Sequence, residues 1–256
     1  MLRNDMKKKL QAGDRIYGTM LQEMINPTAA QIFKRAGFDF FMIDCEHGPY
    51  DQGSVRNILR VGRLEEISSL VRVRNLDYSL IAGYLDSGAM GLMLPRVEKV
   101  SDLETLVSFM KYPPQGVRGL SSDAPHSDYE SMDLAKFVDV QNEDTVAIAQ
   151  IERKVAIENL EEILSVNGID VAIVGPEDLS LSYGVAGQTS HPKVMEAIQK
   201  VIDVSIELGI APGIHMGNLE KLNGWKQKGM QVIMYNSDLG FLLEGAEKGL
   251  ATLRTG

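Results

Sequence analysis

Short apolar runs, rich in β-branched and aromatic residues, alternate along the chain with longer segments whose apolar positions follow a helical period. The runs predict strands at residues 15–20, 38–44, 69–73, 90–94, 145–151, 170–174, 209–214 and 231–235. Most are apolar nearly throughout rather than alternating, the pattern of parallel strands covered on both faces. The helical period predicts helices at 28–36, 52–63, 79–86, 101–111, 134–141, 154–166, 192–208, 219–228 and 239–249. Gly37, Gly88, Gly168, Gly209 and Gly229 fall near helix ends, where a left-handed cap is cheapest without a Cβ. Strands alternating with helices in this way predict an α/β fold, a closed (β/α)8 TIM barrel rather than an open doubly wound sheet.

No serine- and glycine-rich linker divides the chain, and no repeat longer than one strand–helix unit is visible. Residues 1–256 are therefore expected to form one barrel domain, since such barrels commonly run to about 250 residues. The least regular stretch, 112–133, carries Pro113, Pro114, Gly116, Gly119 and Pro125. It reads as a long loop after the fourth strand, and loops of that length are usually functional or interfacial.

Composition narrows the partners. Hydrophobic residues make up 44% and charged residues 24%, an ordinary globular balance. The net charge of −9 argues against nucleic acid, which needs a basic footprint. A compact anionic substrate stays open, because a local pocket can oppose the overall sign. Cys45 is the only cysteine, so there is no intrachain disulfide framework. The basic start (Arg3, Lys7, Lys8, Lys9) meets no apolar run before Gly13 and Asp14, unlike a secretory signal. No apolar stretch reaches the roughly 18–20 residues that cross a bilayer. A soluble cytoplasmic protein acting on small molecules, without a membrane partner, is expected.

In a barrel of this type catalytic groups sit where strands end. The second strand runs into Asp44-Cys45-Glu46-His47-Gly48-Pro49, and the third carries Arg72 near its end. The fifth carries Gln150 and Glu152, and the sixth runs into Gly175-Pro176-Glu177-Asp178-Leu179-Ser180. Glu152 and Asp178, from neighbouring strand ends, suit a hard divalent cation with water and substrate completing the octahedron. They equally suit helix N-terminal carboxylates stabilised by the dipole. His47, in a constrained turn, is either a general base or a loop histidine bonded to Asp44 or Glu46. Arg72, in an apolar strand, either pairs with a carboxylate or faces a pocket anion. Asp86 reads, on its own, as a polar helix terminus. The Gly175–Asp178 turn offers backbone N–H groups at the opening of a helix, fit for a carboxylate or phosphate. His126, His191 and His215 show no metal-ligand spacing, and Cys45 reads as a small packed residue, with a reactive thiolate near His47 as the alternative.

Taken together these motifs resemble the metal-dependent pyruvate aldolases of the HpcH/HpaI type, which include 4-hydroxy-2-oxoheptanedioate, 2-keto-3-deoxy-L-rhamnonate and 5-keto-4-deoxy-D-glucarate aldolases. The resemblance covers nearly the whole chain. It rests on residues 37–47 ending Asp44-Cys45-Glu46-His47, on Tyr112-Pro113-Pro114-Gln115-Gly116-Val117-Arg118-Gly119, on Gln150-Ile151-Glu152 and on Gly175–Ser180. It implies a carbon–carbon lyase that cleaves 4-hydroxy-2-oxo acids to pyruvate, or a close 2-oxo acid, and an aldehyde. It further implies that Glu152 and Asp178 bind a divalent metal (Mg2+, Mn2+ or Co2+) that chelates the donor's keto oxygen and carboxylate. Gln150 and the backbone at Gly175, Glu177 and Asp178 would hold that carboxylate. Arg72 would stabilise the enolate oxygen, and His47 would move the proton with its basicity raised by Asp86. A cation and an arginine at one oxygen stabilise an enolate.

Asp86 closes a helix descending from the third strand end, so it is expected near the opposite mouth of its own barrel. Pairing with His47 then requires a neighbouring subunit. The resemblance implies a homo-oligomer, a hexamer with exchanged C-terminal helices. The chain departs from the family's pattern at Gly48, at Glu177 and in the loop 120–126, which bear on the aldehyde partner. An oxaloacetate decarboxylase on the same fold, or a silent barrel acting as a binding protein, are the alternatives. Intact His47, Arg72, Glu152 and Asp178 speak against silence.

Overall fold

The apolar runs pair edge to edge into a ring. In the computed structural model, which describes residues 3–121 and 123–255, β1 (Ile16–Leu21), β2 (Phe40–Asp44), β3 (Ser68–Arg72), β4 (Gly91–Leu94), β5 (Val146–Ile151), β6 (Val171–Val174), β7 (Ala211–Met216) and β8 (Val232–Ser237) form a closed barrel in sequence order. Every neighbouring pair is parallel, including β1 with β8. Each strand lies within two residues of its predicted bounds. Parallel neighbours need a crossover. Here these are α2 (Thr28–Ala36), α3 (Gln52–Leu64), α4 (Tyr78–Asp86), α5 (Val100–Met110) with α6 (Leu134–Asp144), α7 (Lys154–Glu158) with α8 (Leu160–Leu164), α9 (Pro176–Ser182) with α10 (Pro192–Glu207), and α11 (Leu219–Gln227). A first helix, α1 (Asp5–Gln11), precedes the barrel, and α12 (Asp238–Thr255) follows it.

The two-residue period of the strands sorts the core into two bodies. Phe41, Ile43, Val71, Ala147, Ala149 and Val174 point outward to the helices, in one cluster. Phe40, Met42, Leu70, Ile148, Ile173, Val232 and Met234 point inward, in another. Met6 of α1 joins the inner cluster, so α1 closes the amino-terminal mouth. Asn4 fixes it there, donating from Nδ2 to the carbonyls of Met90 and Asp144, each at 2.8 Å.

Four features differ from the predicted elements, the first being the short helix α9 at Pro176–Ser182, absent from the predicted helix ranges. The basic segment at the start is the plug helix α1. The single helix expected at 154–166 is broken at Asn159, whose side-chain amide donates to the Val155 carbonyl at 2.9 Å, a local bond that competes with the helical ladder. The last helix extends beyond residue 249, and every described residue from 242 on is exposed. Leu242, Leu243, Leu250 and Leu253 thus lack a covering surface within the chain. The five helix-end glycines all take positive φ, as expected. Ser122, within the divergent loop, lies outside the described residues. Among the described residues no helix is long and apolar enough to cross a membrane.

Candidate active site

Following the inward period one step past the apolar floor turns the barrel lining polar. Phe40 and Met42 are succeeded by Asp44, Leu70 by Arg72, Ile148 by Gln150 and then Glu152, and Ile173 by Gly175. The strands' carboxyl ends therefore bring Arg72, Gln150, Glu152 and Gly175 to one mouth.

Asp44 and Arg72 form its most buried contact. Arg72 donates from Nε to Asp44 Oδ1 at 2.9 Å and from Nη2 to Oδ2 at 2.6 Å, a two-pronged geometry that fixes the guanidinium plane. Burial would raise the Asp44 carboxyl, but the Arg72 bonds and charge outweigh it and hold it below its ordinary value. Nη1 remains directed at Gln150 Oε1 and Glu46 Oε2, each at 3.3 Å. Of the two alternatives for Arg72 the structure gives the carboxylate pairing, with Asp44 on one edge of the guanidinium and Glu46 beside the other.

The loop after β2 is held from three sides. Asp44 Oδ1 accepts the N–H groups of Glu46 at 3.1 Å and His47 at 3.3 Å. Arg74 spans the loop by donating to the carbonyls of Cys45 at 2.5 Å and Tyr50 at 2.7 Å. A Cβ at Gly48 would sit 2.5 Å from the Asp44 carbonyl and 2.6 Å from that of Gln22, so only glycine lets the chain pass. The His47 ring stands exposed, Nε2 at 3.7 Å from Glu46 Oε2. Cys45 is buried, and burial pushes its thiol up to about 11, which makes it a packing residue and not a nucleophile.

Glu152 is buried, with Oε1 accepting the Arg96 N–H at 2.8 Å and Oε2 accepting Gln150 Nε2 at 2.5 Å. A Cβ at Gly175 would come within 2.7 Å of Glu152 Oε2 and 3.1 Å of Gln150 Nε2, so the glycine leaves the room these two occupy. Burial lifts the Glu152 carboxyl to about 7; the Arg96 N–H opposes this, while the negative charges of Asp178 and Glu46 add to it. Glu46, His47, Arg96, Glu152, Asp178 and Leu181 wall a cavity of about 410 Å³. Like-charged carboxylates crowded at one wall favour a proton or a cation among them.

These residues fit a hard divalent cation held by two carboxylates and completed by solvent and substrate. Among the described residues no group of three or more His, Cys, Asp or Glu is arranged as a closed metal cage. Glu177 is exposed on the first turn of α9 with its carbonyl accepting Ser180 Oγ at 2.6 Å.

Asp86 is not brought to this mouth. Its helix α4 runs back from the end of β3 to the start of β4, which puts Asp86 at the foot of the barrel. There it accepts from Arg118 Nη2 at 2.6 Å. The Arg118 side chain is buried and stacks 4.6 Å above the Tyr112 ring. His126 packs beside them, its Nδ1 at 3.2 Å from the Asp86 carbonyl, and burial pushes its pKa down to about 4. The irregular loop after α5 thus folds back onto the foot.

Three residues of this mouth lie outside the expected catalytic and ligand set: Asp44, expected only as a possible partner of His47, and Arg74 and Arg96. The inward period from Phe40 and Met42 would have exposed Asp44. Arg96 carries no signal of that kind, because its role depends on backbone geometry.

The fold is that of a barrel enzyme with its charged cavity at the carboxyl ends of the strands, and its relatives make it a carbon–carbon lyase. The chain belongs to the HpcH/HpaI aldolase/citrate lyase family, whose profile matches residues 20–244. It is 30% identical over 252 residues to the hydroxypyruvate/pyruvate aldolase of Roseovarius nubinhibens, covering 98% of this chain and 97% of that one. It is 32% identical over 246 residues to the 4-hydroxy-2-oxo-heptane-1,7-dioate aldolase of Salmonella typhimurium, covering 96% and 93%. A solved HpcH/HpaI aldolase from Desulfitobacterium hafniense superposes with a TM-score of 0.93 at 34% identity, covering 97% of this chain and 96% of that one.

Proposed function

We propose that this protein is a metal-dependent aldolase that reversibly cleaves 4-hydroxy-2-oxo acids to pyruvate, or a close 2-oxo acid, and an aldehyde. The observation that carries the reading is the Arg72 guanidinium, locked by Asp44 on one edge and presenting Nη1 beside Gln150, next to the Glu152 carboxylate. Glu152 and Asp178 would hold a divalent cation (Mg2+, Mn2+ or Co2+), which when bound would supply Lewis-acid polarisation of the donor's keto oxygen. Gln150 and the backbone at Gly175, Glu177 and Asp178 bind the donor carboxylate and fix its orientation. Arg72 stabilises negative charge on the enolate oxygen, and its preorganisation by Asp44 means no reorganisation is needed as that charge develops. His47, exposed at the rim, takes the proton of the C4 hydroxyl in cleavage and returns it in synthesis.

Asp86, at the foot of its own barrel, reaches His47 only across a subunit boundary, so the active form is a homo-oligomer, a hexamer by family likeness. The uncovered leucines of α12 support a helix exchanged between copies. The single domain spans residues 1–256, and one buried free cysteine favours a cytoplasmic location.

The test is pyruvate release from a panel of 4-hydroxy-2-oxo acids, with EDTA and then with each metal restored. Release that EDTA stops and metal restores is expected. Carbon dioxide release from oxaloacetate without any aldol cleavage would move the protein to the decarboxylase reading.

A further inference from the structure

Arg96 stands just past β4 with a φ of 55°, a left-handed conformation that a long side chain adopts at a cost and that asparagine or glycine adopts readily. That backbone turns its N–H onto Glu152, a task any residue except proline performs. The arginine side chain therefore needs a reason of its own, since strain kept at a functional site points to function. The side chain walls the same cavity as His47, Glu152 and Asp178. Among the described residues no carboxylate lies within ion-pair range of its guanidinium, whereas Arg153 on the same wall is matched by Glu98 at 3.0 Å. A substrate with a second acid group would meet Glu46, Glu152 and Asp178 on entering, and needs a free cation at the rim to be retained.

We propose that Arg96 recognises an acid group on the acceptor half of the substrate, so that the preferred aldehydes carry a carboxylate at the end away from the carbonyl. This rests on the aldolase reading above and narrows it. The guanidinium meets that carboxylate as a two-pronged donor at the mouth, partly in solvent, so the contact weakens as salt is added.

The experiment compares aldol addition of pyruvate to succinic semialdehyde and to butanal, aldehydes of equal chain length, in wild type, Arg96→Asn and Arg96→Lys. Asparagine keeps the N–H to Glu152 and suits the left-handed backbone while removing the cation. Wild type should prefer the acid aldehyde, and Arg96→Asn should lose about five- to tenfold of that preference, through KM. Arg96→Lys should keep most of it, and added salt should shrink it in wild type. The melting temperature of Arg96→Asn should be no lower than that of wild type. An unchanged preference in Arg96→Asn, or a fall of several degrees in its melting temperature, overturns the proposal and makes Arg96 a structural residue. No addition to either aldehyde with any metal sinks the aldolase reading, and this subsite with it.

Discussion

The two mouths of the barrel both bury charged and polar side chains, and they treat them in opposite ways. At the foot, Lys111 is buried with Nζ donating to the Asn142 carbonyl at 2.5 Å, Thr145 Oγ1 at 2.9 Å and the Thr145 carbonyl at 3.2 Å. Asn4 and Ser68 complete one another there, with Ser68 Oγ donating to Asn4 Oδ1 at 3.0 Å. Every Lys111 ammonium hydrogen has an acceptor and α1 seals the opening, whereas Arg118, farther out on the same foot, keeps Nε and Nη1 buried without a hydrogen-bond partner among the described residues. At the carboxyl-end mouth Glu152 has two donors but shares its wall with Glu46 and Asp178, and its carboxyl is lifted to about 7. Polar burial that is satisfied internally holds a fold together. Polar burial left with like charges around it marks a candidate functional site, where the proposed cation would offset those charges.

Substitutions should separate the two ends. At the mouth, Glu152→Ala or Asp178→Ala should lower metal-dependent turnover by more than about a hundredfold while circular dichroism and the melting curve stay native-like. Unchanged turnover in both would remove them as ligands. Arg72→Lys keeps the charge but loses the fork to Asp44, and kcat should fall by about two to three orders of magnitude. A near-normal kcat would take Arg72 out of the mechanism. Arg74→Ala frees the loop that carries His47 and should lower kcat about tenfold with little change in melting temperature. Faster amide exchange at residues 46–48 would show that the loss is one of positioning.

At the foot the balance reverses. Lys111→Ala leaves three acceptors and a void, and should destabilise the fold by about 2–4 kcal/mol with kcat unchanged. Burial depresses the Lys111 ammonium to about 8, so the unfolded chain holds more protons above that pH. Stability should therefore rise, from this group, as pH climbs from about 8 toward the ordinary lysine range. Thermal melts of wild type and Lys111→Met across that window measure the difference, and parallel curves would contradict the assignment.

Much of this division is legible in the amino-acid order. Continuous apolar runs placed all eight strands, and the polar residues at or just past their carboxyl ends picked out Arg72, Gln150, Glu152 and the 175–178 turn. What stayed hidden depends on long-range geometry. Lys111 looks like the exposed end of an amphipathic helix until Asn142 and Thr145 fold over it. Arg96 looks like a rim charge until its left-handed backbone aims an N–H at Glu152. The α1 plug reads as a basic start because only its docking under the barrel shows that Met6 faces the interior. Asp86 is the instructive case: helix direction alone located it at the foot, far from His47 of its own chain.

The central claim, that the mouth is held ready for a divalent cation, is tested most directly by calorimetric titration of Mn2+ across pH into wild type and Glu152→Ala. The metal-free protein should lose stability as pH rises from the ordinary carboxylate range toward about 7, because the raised carboxyl binds its proton more tightly in the folded state, and the cation should reverse that loss. Wild type should bind one ion, with affinity weakening up to about tenfold per pH unit below about 7 as the proton competes, and Glu152→Ala should bind none. Binding of equal strength in the variant, or affinity indifferent to pH through that window, would contradict the account.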